Sequence, residues 1–130
     1  MKIYLDNCSF NRPFDDQKQI RIKIETEAKL YIQEKVKIKK IKLIWSYILN
    51  FENNANPYEE RKLQIAKWKK YAEKNIVENE EILWAAEKLN LLGIQSKDCL
   101  HLACTIEAEC DYFITTDDYL LKKNPKIPEI

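Results

Sequence analysis

A chain of 130 residues has the length of one ordinary domain, long enough to bury a core of two or three layers, and a second domain is not expected. Its 45% hydrophobic and 33% charged residues exclude a disordered class. A formal net charge of +1 excludes the whole-protein basic field of dedicated nucleic-acid binders, so any such contact must be local.

The run Lys2 to Leu5 begins straight after Met1 and ends at Asp6, which reads as a first strand with no room for a signal peptide. No later apolar run approaches membrane-spanning length, so a cytoplasmic chain without a membrane partner is expected. Asn7 to Asp16 carries turn formers and Pro13 and reads as a loop. From Asp15 as N-cap, Ile20, Ile24, Ala28 and Tyr31 recur at helical spacing and predict a long helix with that stripe turned inward. Ile41 to Trp45 is a second strand, and Ser46 caps a helix in which Ile48, Leu49, Phe51 and Ala55 face the core. Asn56-Pro57-Tyr58-Glu59 has the form of another capped start, for a helix running to about Ala72. Ile76-Val77 is a very short strand, after which Ile82, Leu83, Ala86 and Leu89 mark a helix closed by Gly93 in the left-handed conformation. Ser96 caps a helix through about Glu109, Tyr112 to Thr115 is the last strand, and Asp117 opens a final short helical turn. Cys8, Cys99, Cys104 and Cys110 contain no C-x-x-C pair, and free, reduced thiols are expected.

Strands alternating with helices imply parallel strands joined by right-handed crossovers, so the expected fold is α/β, a three-layer α/β/α sandwich with a central parallel sheet. In such a sheet ligands bind at the carboxyl ends of strands, beside the point where strand order reverses. Asp6 and Asp117 both lie just past strand ends and therefore reach one edge. Glu52, four residues after Ile48 and three after Leu49, shares their inward face, and a partly buried carboxylate needs a partner. Asp98, two residues after Ser96, sits in the first turn of its helix at a position compatible with the same edge. Four clustered carboxylates raise one another's pKa unless positive charge is supplied, and oxygen-only ligation suits Mg²⁺ or Mn²⁺. Each acid also has a plain structural reading: Asp6-Asn7 starting a turn, Asp98 and Asp117 serving helix N-termini, Glu52 pairing with a lysine.

Taken together, Ile3-Tyr4-Leu5-Asp6-Asn7, Ser46 to Glu52, Lys97-Asp98-Cys99-Leu100-His101-Leu102-Ala103 and Asp111-Tyr112-Phe113-Ile114-Thr115-Thr116-Asp117 resemble the PIN-domain family across nearly the whole chain. The resemblance implies a metal-dependent endoribonuclease acting on single-stranded or structured RNA. Many members are toxins of toxin-antitoxin pairs, which makes an antitoxin protein an implied partner and leaves a homodimer open. Asp6 matches the family's acid after the first strand, Glu52 the helix acid, Asp98 the acid three residues before His101, and Asp117 the acid that follows the threonines. In the mechanism so implied, Asp6, Asp98 and Asp117 chiefly hold one Mg²⁺ or Mn²⁺, and Glu52 ligates a second ion or orients the attacking water. Asp118 is the alternative to Asp117, and the threonine-then-acid spacing favours Asp117. Thr115 or Thr116 bonds an acid or a water ligand, or Thr116 caps the last turn. Family members continue past the position of Ile130 into another strand, so a missing or truncated edge strand is expected.

Around this quartet, His101 reads as structural and hydrogen-bonded, and Lys35, Lys37, Lys39, Lys40 and Lys42 as a solvated face at the opposite sheet edge. Arg12, Lys122 and Lys123 are the basic residues best placed for RNA phosphates, while Trp68 and Tyr71 read as packing aromatics. A receiver-type domain would want adjacent acids at the first strand end, where Asn7 stands, and a dehalogenase-type phosphatase an acid at Cys8. The rival that remains is a catalytically silent PIN-like module that binds RNA or protein.

Overall fold

The computed structural model describes residues 1–117 and Leu120. Its centre is a sheet of four parallel strands, β1 (Lys2–Leu5), β2 (Lys42–Ser46), β3 (Lys74–Ile76) and β4 (Tyr112–Ile114), in the order β3-β2-β1-β4. Helices flank it, giving the three-layer α/β/α sandwich expected from the alternation of elements. They are α1 (Asn7–Asn11), α2 (Ile20–Lys37), α3 (Tyr47–Asn54), α4 (Glu59–Ala66), α5 (Glu80–Asn90) and α6 (Ser96–Glu107), with 3₁₀ turns at Arg12–Phe14 and Lys67–Tyr71.

Strands β1 and β2 read as near-continuous apolar runs because the centre of a parallel sheet is covered on both faces. Ile3, Tyr4 and Leu5 in β1 and Leu43, Ile44 and Trp45 in β2 are all buried, with Ile3 paired to Leu43 and Tyr4 to Ile44. Each such side chain contributes roughly 1.5–3 kcal/mol of hydrophobic stabilisation. The chain moves outward from β1 to β2 to β3 and then returns to the other side of β1 as β4, so strand order reverses between β1 and β4. Leu5 pairs with Ile114 at that point, which brings the residues after both strands to one edge.

Several local expectations change. The stretch after β1 is not an open loop but the short helix α1, because Asp6 caps it by accepting from the Ser9 N–H at 2.9 Å. Asp15 does not cap α2; its carboxylate is held by Arg12 at 3.3 Å and Arg61 at 3.1 Å, and α2 starts after Gln19. The face of α2 is also reversed. Ile20, Ile24, Ala28 and Tyr31 are exposed, and Thr26, Lys29, Gln33 and Val36 are buried. Polar anchors explain this: Thr26 Oγ1 donates to the Arg12 carbonyl at 3.1 Å and Lys29 Nζ to the Phe10 carbonyl at 3.3 Å. With its amide rotated, Gln33 accepts from Lys29 at 2.7 Å and from the Trp68 indole at 3.0 Å. In α3, Ile48 and Leu49 are buried as expected, whereas Phe51 and Ala55 face out. Ser46 caps α3 as read, and Asn79 caps α5. Gly93 follows α5 with φ 89°, the left-handed geometry that suits glycine. Ser96 is the first residue of α6 and not its cap. The Asn56 side chain braces the approach to α4, and regular helix there ends at Ala66. Tyr71 is partly exposed and packs on half-buried Trp68 with the rings tilted, their centroids 5.2 Å apart. All four cysteines are free. The final helical turn, Asp118, Lys122, Lys123 and the C-terminal strand question lie outside the described residues.

Candidate active site at the strand-order reversal

The edge past β1 and β4 gathers the four acids singled out by sequence. Asp6 follows β1 directly, is 3% exposed, and has both carboxylate oxygens engaged: Oδ1 by the Ser9 N–H and Oδ2 by the Thr115 hydroxyl. Burial pushes its carboxyl up from the ordinary value, against those bonds. Asp117 follows β4, and its N–H donates to Thr115 Oγ1 at 3.0 Å, so one threonine ties the two strand ends together.

Glu52 comes from α3, which Ser46 caps at the end of β2, the strand on the other side of β1. It is partly buried, and the partner that burial demands is His101, whose Nε2 meets Oε1. A carboxylate only accepts, so Nε2 carries the proton and, in the single-proton tautomer, Nδ1 accepts from the Tyr4 hydroxyl. Tyr4 in turn accepts from Ser46 Oγ at 2.6 Å, while Ser46 accepts from the Leu49 N–H. A buried chain of Ser46, Tyr4, His101 and Glu52 thus links the sheet core to the edge. The expectation of a structural, hydrogen-bonded His101 fits this geometry, but the residue it orients was not visible in the sequence.

Asp98 lies one helical turn before His101, in the first turn of α6. Its carboxyl is pushed up to about 6, first by desolvation, then by Asp117, with Asp6 and Glu52 adding smaller repulsions and His101 opposing. Cys8, in α1, reports the same field: its thiol is pushed up to about 12 by desolvation and then by Asp6, Asp117, Glu52 and Asp98 in that order. Two groups on different elements therefore sense all the acids at once. No lysine or arginine forms an ion pair with Asp6, Glu52 or Asp98 among the described residues.

The acids share one neighbourhood without forming a coordination shell. Among the described residues, no three acid, histidine or cysteine side chains converge as a metal ion would require. The reason is local: Glu52 is turned onto His101, and both Asp6 oxygens are bonded within the chain. The donor chemistry nevertheless suits a hard divalent cation, being oxygen-only.

Two clefts flank α1 at this edge. One, of about 570 Å³, is lined by Cys8, Arg12, Asp15, Thr116 and Asp117; the other, of about 270 Å³, by Glu52, Asn56, Tyr58, Arg61 and Lys97, and both share Asn7 and Asn11. Arg12 is not free for phosphate as expected, since Asp15 and Glu25 hold its guanidinium at 3.3 and 3.5 Å. The lysine run from Lys35 to Lys42 is on the far side, at the start of β2, where Lys42 pairs with Glu73 at 3.4 Å. No helix among the described residues is long and apolar enough to cross a membrane.

No family model matches the chain, and neither a curated protein nor a solved structure gives a significant match.

Proposed function

We propose that the chain is a Mg²⁺- or Mn²⁺-dependent endoribonuclease that hydrolyses RNA phosphodiester bonds, as its resemblance to the PIN-domain family implies. The observation that carries the proposal is the acid field at the strand-order reversal, where the Asp98 carboxyl is raised by desolvation and then by Asp117, Asp6 and Glu52. Asp6, Asp98 and Asp117 are the ligands for the ion, with Glu52 beside them. When bound, the ion neutralises charge on the scissile phosphate and lowers the pKa of a coordinated water.

The chain's own groups do the positioning. Ser9 and Thr115 fix the plane of the Asp6 carboxylate. His101 holds one oxygen of Glu52, leaving the other to orient a water for attack. Asp98 ionises above about pH 6, so cation binding strengthens as pH rises through that value. The toxin role, with an antitoxin as partner and Asp117 rather than Asp118 as ligand, rests on the resemblance.

A silent RNA- or protein-binding module draws support from one observation, the prior engagement of Asp6 and Glu52 within the chain. Incubating the full chain with RNA and Mn²⁺ separates the readings. A nuclease cuts RNA, and Asp6→Asn and Asp98→Asn lower the rate on the order of 10²–10³-fold while circular dichroism stays unchanged. Folded wild type that is inert with every metal and RNA offered would favour the silent module.

A further inference from the structure

The smaller cleft beside Glu52 has walls that an acid cluster alone does not require. Tyr58 is 59% exposed at its rim. One face of its ring is covered by the Arg61 guanidinium, 4.5 Å from the centroid. Arg61 is itself immobilised: Nη1 donates to Asp15 at 3.1 Å, Nη2 donates to the Phe14 carbonyl at 2.6 Å, and the Phe14 ring lies 5.8 Å away. Its charge is answered by Asp15, so its part here is to support the Tyr58 ring and not to bind phosphate. Across the cleft, Lys97 lies next to Asp98 in the chain and forms no ion pair among the described residues; its only described partner is the exposed Phe51 ring, 5.8 Å from Nζ. Neutral side chains line the remainder, Ala55, Pro57 and three carboxamides, with Asn56 donating to Asn11 and Asn11 to Asn7, both at 3.2 Å.

A rigid, open aromatic face suits stacking of a flat, apolar group, and an ammonium without an ion pair among the described residues suits an anion. The volume of about 270 Å³ falls near the lower bound, roughly 300 Å³, of pockets for drug-sized ligands, which limits the occupant to one such unit. We infer that this cleft is a subsite for a single unpaired nucleotide, its base stacked on the outer face of Tyr58 and its phosphate on Lys97, adjacent to the bond that the acid edge would cut. The inference rests on the ribonuclease reading for its choice of nucleotide polymer. A base held in this way cannot stay in a duplex, so the subsite selects single-stranded over double-stranded substrate. The bland alternative, an arginine–tyrosine pair that only covers surface, accounts for Tyr58 but not for Lys97 and Glu52 sharing the same cleft.

The test uses the full chain and a single-stranded RNA 12-mer carrying one 2-aminopurine, with the matching duplex as control. The wild type should quench the fluorophore on binding and bind the duplex more weakly. Tyr58→Ala should weaken single-strand binding about ten-fold and abolish the quench, with KM raised and kcat little changed, while Tyr58→Phe retains both. Tyr58→Ala that binds, quenches and cleaves like wild type overturns the inference and leaves the nuclease intact. Tyr58-dependent binding without cleavage under any metal sustains the subsite and sinks the nuclease. RNA that neither binds nor is cut removes both.

Discussion

Helices α6 and α2 both carry apolar residues at helical spacing, and the structure uses them in opposite ways. In α6 the periodic residues Cys99, Leu102 and Ala103 are buried against the sheet, and the first turn delivers Asp98 to the acid edge. In α2 the periodic residues Ile20, Ile24, Ala28 and Tyr31 are exposed, and the inner face is held by Thr26, Lys29 and Gln33. Lys29 is nearly fully buried, bonded to the Phe10 carbonyl and the Gln33 amide oxygen with no carboxylate partner among the described residues, and burial lowers its pKa to about 7. Apolar side chains at helical spacing therefore do not by themselves decide which side meets this chain's core. Specific polar bonds at the inner face decide it here.

Substitutions sharpen the contrast, the largest effect coming from α6. Leu102→Ala should cost about 2–5 kcal/mol in urea denaturation, because a fully buried leucine leaves a cavity. Next is His101→Leu, at about 1–3 kcal/mol, since it strands the Tyr4 hydroxyl and Glu52; it should also slow hydrolysis, because Glu52 loses its orientation. The acid edge should behave in the reverse sense. A carboxyl whose pKa is raised in the folded state favours folding below its unfolded value near 4, and that advantage is lost as pH rises to about 6. Above pH 6, Asp98→Asn should therefore stabilise the metal-free protein by about 1 kcal/mol, allowing for solvent screening of a half-buried group, and it should flatten the pH dependence between 4 and 6. Smallest is Ile24→Lys on the outer face of α2, expected within about 0.5 kcal/mol of wild type despite its core-like spacing. A loss of several kcal/mol there would show that the stripe packs against something.

Legibility in the sequence follows the range of the interaction. Strands β1 and β2 could be read because continuous apolar runs record burial on both faces, and the Ser46 cap and Gly93 because cap chemistry is local, whereas the short strand expected at Ile76-Val77 runs instead over Lys74–Ile76 and leaves Val77 exposed. The convergence of Asp6 and Asp117 followed from a topological rule that needs only strand order. What escaped was non-local or chemically ambiguous. The contact of His101 with Glu52 joins residues 49 apart, though a partly buried acid and the chain's single histidine, both drawn from apolar-faced helices, were the available signal. Helix α1 was hidden by turn-forming residues that a buried Asp6 recruits into a cap. Phe51 faced inward by periodicity alone; α3 spans only eight residues, a little over two turns, too short for periodicity to fix its face.

Calorimetric titration of Mn²⁺ into the wild type and Asp98→Asn at pH 7.5 tests the central claim without any choice of RNA. Saturable binding by the wild type, a loss of at least ten-fold in affinity in the variant and an unchanged fold are expected. Equal, non-saturating heats from both proteins would mean that these acids hold no cation.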